Sequence, residues 1–128
     1  MQPHKPEHRP VFLDLRRIRQ PVTAIVSIAH RASGVLLALS IPFWIYLLDL
    51  SLGSSAGYEH AIELLSQPLA KLGAVVVSWA LIHHLCAGVR FLLLDIDIGI
   101  ELQAARRSAW IVNGVGVLGA LLALAVIL

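Results

Sequence analysis

Charge is scarce in this chain. Only 14% of its 128 residues are Asp, Glu, Lys or Arg, while 58% are hydrophobic. A soluble domain is closer to a quarter charged, so a water-facing globule is excluded and a membrane protein is indicated. Acids are missing altogether from residues 15–48, and no charge of either sign falls between Ala109 and Leu128. Cysteine is reduced to Cys86, so no disulfide forms within the chain and the redox compartment is not readable from it. The basic residues lack interleaved aromatics and a folded surface to sit on, which excludes nucleic acid as a partner. The first apolar run is too long for a secretory signal, and no small-residue cleavage site follows it. The N-terminal segment is neither Ser-rich nor acid-free, unlike an organelle transit peptide, and points to a bacterial host.

What is present is apolar and helical in length. We read an all-α chain, a single membrane-anchor domain over residues 1–128, with three transmembrane helices over about 22–48, 72–94 and 109–128. Each run offers the ~20 apolar residues that a bilayer core requires. Residues 1–20 form a basic segment in which Phe12, Leu13, Leu15 and Ile18 share one side, suited to a membrane surface or a protein partner. Pro21 is placed to start the first span, Pro42 to kink it, and Trp44 and Tyr46 to sit in an aromatic belt. The connector 49–70 is polar, with a short amphipathic helix expected over Tyr58–Ser66 and ended by Pro68. Lys and Arg concentrate in the N-terminal segment and the 95–107 loop. By the positive-inside rule the N-terminus is cytoplasmic and the C-terminus periplasmic, across a bacterial inner membrane.

Two polar constellations interrupt the apolar spans. The first is Ser27, His30, Arg31 and Gly34, which helical spacing places on one face. Ser27 and Arg31 are four apart and can donate to one acceptor. Gly34 leaves that face bare one turn deeper, so that a flat ligand or another helix can approach. The competing reading is that Arg31 only snorkels to the headgroups as a topology anchor. The second is His84 with Gly88 one turn along on the same face, followed by Arg90 and Asp95. An imidazole in a span serves as a helix contact, a proton relay, or a metal or haem ligand. The bare surface at Gly88 favours a broad flat group. His83 points about 100° away from His84, so the two cannot bind one iron, and His83 is read as a hydrogen-bonding or interface residue. Counting spans of ~20 residues puts His84 about 10 Å deeper than His30 and Arg31. That offset argues against His30 as a second ligand to the same iron, so a second axial ligand has to come from another chain.

These residues fall into a recognisable pattern: Arg9-Pro10, Leu13-Asp14-Leu15, Pro21-Val22-Thr23, Ser27 with His30-Arg31 and Ser33-Gly34, then His84, Gly88-Val89-Arg90-Phe91 and Asp95. The sequence resembles the cytochrome b membrane-anchor subunit of succinate dehydrogenase, respiratory complex II, over nearly its whole length. The resemblance implies a haem b held in a helix bundle shared with a second small membrane-anchor subunit. It also implies partnership with an iron–sulfur subunit and a flavoprotein subunit, and ubiquinone as the electron acceptor. In that family the position of His84 is an axial haem-iron ligand. Those of Ser27 and Arg31 line the quinone site, and those of His30 and Arg31 approach the haem propionates. Phe91 stands where many relatives have a second histidine, so a propionate contact from that position is absent. Leu94 and Asp97 also depart from the family's usual aromatic and small residues.

Three other readings compete. An anchor of a quinol:fumarate reductase runs the related chemistry in reverse. A haem-free transporter is disfavoured, because such proteins carry an intramembrane acid and the first span has none. The third is a purely structural anchor without a cofactor. The resemblance implies an enzyme subunit of succinate:quinone oxidoreductase that is not catalytic on its own.

Overall fold

The computed structural model describes residues 18–128, and these are helical almost throughout. The motif residues Arg9 to Leu15 and most of the basic segment lie outside the described residues. Four helices follow in order: α1 (Val22–Gly53), α2 (Ser55–Ser66), α3 (Pro68–Asp95) and α4 (Leu102–Ile127). No strand occurs among the described residues. Helices α1, α3 and α4 have 32, 28 and 26 residues. At 1.5 Å per residue these are about 48, 42 and 39 Å long, so each exceeds the ~30 Å hydrocarbon core. The fold is therefore all-α, with three helices long and apolar enough to cross a membrane.

The helix ends follow from local chemistry. Pro21, extended at ψ 151, offers its carbonyl to Ala24 and Ile25 and opens α1 without a side-chain cap. Pro42 lies inside α1, yet the helix runs on to Gly53. Ser54 then caps α2 by accepting from the Gly57 amide at 3.0 Å. A Cβ at Gly57 would collide with the Leu50 carbonyl, so only glycine lets α2 fold back this tightly on α1. Helix α2 begins three residues earlier than the amphipathic pattern from Tyr58 implies. Pro68 occupies the first position of α3, where its missing N–H costs nothing. The α3–α4 turn places Asp97 at φ 60 and Gly99 at φ 79, and the Ile98 amide returns to the Leu93 carbonyl at 2.9 Å. Asp97 thus fills a left-handed position that glycine would occupy more freely.

Helix α3 packs between α1 and α4 and runs antiparallel to both. The small core at one end consists of Val26, Ala87, Ala109 and Val112, with Val22, Cys86 and Phe91 packed on it. Alanines at 87 and 109 let the helix axes approach. Most of the large apolar side chains face outward, among them Leu39, Ile45, Leu85, Trp110 and Val126. In water such a surface would be a liability; in a bilayer it is the solvent-facing side of the protein.

Candidate functional site

The two faces of α3 carry different polar clusters. Toward α1, the His84 and His30 rings stack with centroids 4.1 Å apart and planes 11° from parallel. The contact is made possible by glycine on each helix. A Cβ at Gly34 would stand 2.9 Å from His84 Cε1, and one at Gly88 would stand 3.7 Å from His30 Nε2. The surface that Gly34 and Gly88 leave bare therefore receives a histidine from the opposite helix. Phe91 closes the far side of His30 edge-on, with ring centroids 5.2 Å apart.

The ~10 Å depth offset expected between His30 and His84 is absent. His30 lies eight residues after Val22, and His84 eleven before Asp95. Measured from these true helix ends, the difference is only about 5 Å, which side-chain reach across a helix crossing takes up.

His84 is half-buried, and its Nδ1 lies 3.0 Å from the His30 carbonyl oxygen and 3.2 Å from Ser33 Oγ. A carbonyl oxygen only accepts, so Nδ1 carries the ring proton and Nε2 keeps its lone pair. Neither of the His84 hydrogen bonds uses Nε2. Ser27 is half-buried on α1, one turn before the exposed Arg31. Arg31 is thus available at the surface, while His30 turns inward against α3.

Toward α4, His83 is 1% exposed, with Nε2 3.3 Å from Asn113 Oδ1. Its Nδ1 is buried without a hydrogen-bond partner among the described residues. Trp79 lies against the ring at 5.4 Å, and Gly116 admits it, since a Cβ there would be 3.2 Å from His83 Cδ2. Two turns nearer the loop, Arg90 is 6% exposed and donates to Ser108 Oγ at 2.9 Å and to the Ala105 carbonyl at 3.2 Å. Both acceptors lie in the first turns of α4, so Arg90 ties the ends of α3 and α4 together across the turn. Sequence reasoning set Arg90 within the second motif and gave it no role. The available signal was a cation inside an otherwise apolar span, a few residues before the loop.

Known proteins resemble this chain over most of its length. The family described as succinate dehydrogenase/fumarate reductase transmembrane subunit matches residues 5–123. The succinate dehydrogenase cytochrome b556 subunit of Coxiella burnetii is 36% identical over 116 residues, covering 90% of this chain and 93% of the relative. The protein of the same description from Rickettsia felis is 31% identical over 106 residues, with 81% of each chain covered. That of Paracoccus denitrificans is 31% identical over 108 residues, covering 80% of this chain and 78% of the relative. The match takes in both polar constellations and all three long apolar helices, and so this chain is a multi-pass membrane protein that belongs to the succinate dehydrogenase/fumarate reductase transmembrane subunit family.

Proposed function

We propose that this chain is the membrane-anchoring cytochrome b subunit of a bacterial succinate dehydrogenase. On this reading it holds haem b through His84 and shares that haem with a second small membrane subunit. It docks the iron–sulfur and flavoprotein subunits and contributes Ser27 and Arg31 to the site that reduces ubiquinone. The observation that carries the reading is the state of His84. Its Nδ1–H is committed to a backbone carbonyl and Nε2 is left with a lone pair, as metal-ligating histidines require.

The donor chemistry fits a haem iron. A neutral imidazole is a sound axial ligand, and when bound the haem supplies one-electron transfer at a potential set by its axial ligands. His30 and His84 stack in parallel at 4.1 Å, which leaves no room for a porphyrin between them, so the second ligand belongs to the partner subunit. Arg31, exposed beside His30, is the cation suited to the propionates, with His30 as the second contact. Ser27 and Arg31 present a hydroxyl and a guanidinium to the two-electron, two-proton reduction of a quinone carbonyl. A site at the lipid–water boundary keeps proton-donating water close. The family also spans fumarate reductases; the naming of the relatives as succinate dehydrogenases favours succinate oxidation as the working direction.

A reduced-minus-oxidised absorbance spectrum of the purified complex tests the assignment. A b-type signal that disappears in His84→Ala supports it, and a complex without that signal overturns it. Orientation is tested by reporters. A fusion after Leu128 reads periplasm and one within 95–107 reads cytoplasm. Both on one side would remove the last span and with it the three-span arrangement.

A further inference from the structure

We propose that Ser33 is a positioning residue that locks the tautomer of His84 and tunes the iron it ligates; this rests on the reading of His84 as a haem ligand. Four other helix serines of this protein satisfy themselves on the preceding turn and hydrogen-bond no further side chain among the described residues. Ser40 donates to Leu37, Ser51 to Leu48, Ser66 to Glu63 and Ser78 to Ala74. Ser33 also donates backwards, to the His30 carbonyl at 2.9 Å. Two things set it apart. It is 0% exposed, and its hydroxyl also lies 3.2 Å from His84 Nδ1, which itself approaches the same carbonyl at 3.0 Å.

The three polar atoms form a triangle with one consistent proton arrangement. The His30 oxygen carries no proton. If Ser33 donated to a bare Nδ1, two lone pairs would face each other between that nitrogen and the carbonyl. With the Ser33 proton on the carbonyl, the Nδ1 proton is shared between the His30 oxygen and Ser33 Oγ, and both acceptors are used. Nε2 then holds the ligating lone pair of the neutral ring. Gly34, the next residue, keeps the α1 backbone close enough for this to happen.

The consequence is electronic as well as steric. Hydrogen bonds accepted from Nδ1–H make the imidazole a stronger donor at Nε2 and favour the ferric over the ferrous state. Removing one of the two acceptors weakens that preference and raises the midpoint potential. A tenfold change in the preference corresponds to about 59 mV for a one-electron couple.

The test is a redox titration and ferric EPR spectrum of the purified complex carrying Ser33→Ala, Ser33→Thr or Ser40→Ala. Ser40→Ala removes the same backbone bond from the same helix without touching an imidazole. We expect Ser33→Ala to retain haem with a raised potential and shifted g-values, Ser33→Thr to return toward wild type, and Ser40→Ala to leave both unchanged. Loss of haem from an assembled Ser33→Ala complex is the extreme of the same effect and supports the proposal. Wild-type potential and g-values in Ser33→Ala overturn it, as does an equal shift in Ser40→Ala. An unaltered haem spectrum in His84→Ala removes the ligand reading beneath it, a failure separately visible from that of Ser33.

Discussion

His83 and His84 are neighbours in the chain and opposites in the fold. His83 is sealed between α3 and α4, with one nitrogen on Asn113 and the other without a partner among the described residues. His84 looks toward α1, with Nδ1 held by a carbonyl and a buried serine and Nε2 free. One residue step turns the side chain by about 100°, enough to separate a helix-packing imidazole from one with the lone pair that our proposed ligand role requires. The surroundings of each ring follow the same division. Both are admitted by a glycine, Gly116 for His83 and Gly34 for His84. Only His84, however, is half-exposed and stacked on a second imidazole. Histidine content alone is thus a poor guide to function in a span; the hydrogen bond at the non-ligating nitrogen is the better one.

The sharpest way to break this contrast is to delete each ring. His84→Ala is expected to abolish the b-haem signal, whereas His83→Ala leaves the iron ligated, as read by the reduced-minus-oxidised spectrum. The reverse outcome would exchange the two faces. Next in size is the α1 side of the site. Ser27→Ala and Arg31→Leu should each slow succinate-dependent quinone reduction by roughly 10²-fold, the loss of one donor to a developing oxyanion. Arg31→Leu should be the more severe and should also shift the haem spectrum, which Ser27→Ala should not. Reduction of a soluble acceptor should survive in both. If quinone reduction is untouched, residues 27–31 serve only as a topology anchor.

The glycines sharpen the comparison further. Gly34→Ala drives a methyl against a ring held by two hydrogen bonds, so overpacking should cost about 1–3 kcal/mol and displace the haem spectrum as well. Gly116→Ala meets His83 at a similar distance and should lower thermal stability while the spectrum stays in place. A spectral shift from Gly116→Ala would mean that the two faces of α3 are coupled. The smallest effect is expected at Asn113. Asn113→Ala removes an interhelical hydrogen bond, a change averaging about 0.6 kcal/mol within membranes. It should register as a slight fall in the thermal midpoint with full quinone reductase activity.

The sequence by itself determined the all-α class, the three apolar runs and the faces on which polar residues gather. Composition and the helical period carry that information without reference to any neighbour. Ser27, His30, Arg31 and Gly34 were legible as one stripe, and His84 with Gly88 as another, because i, i+3 and i+4 positions share a side of any helix. Which helix each stripe meets is a different matter. The stacking of His30 on His84 depends on where α1 and α3 cross, which residue counting from the ends of apolar runs does not reach. Asn113 was visible as the one strongly polar group of the last span, and its partner His83 was not, since thirty residues and a turn separate them. Ser33 looked like any helix serine until the fold set His84 Nδ1 beside its hydroxyl, and Arg90 stayed without a role until the turn at Asp97 and Gly99 brought Ala105 and Ser108 within reach. A period records which side of its own helix a residue faces. Only tertiary packing decides what stands opposite, because that is set by the crossing points and small residues of two helices at once.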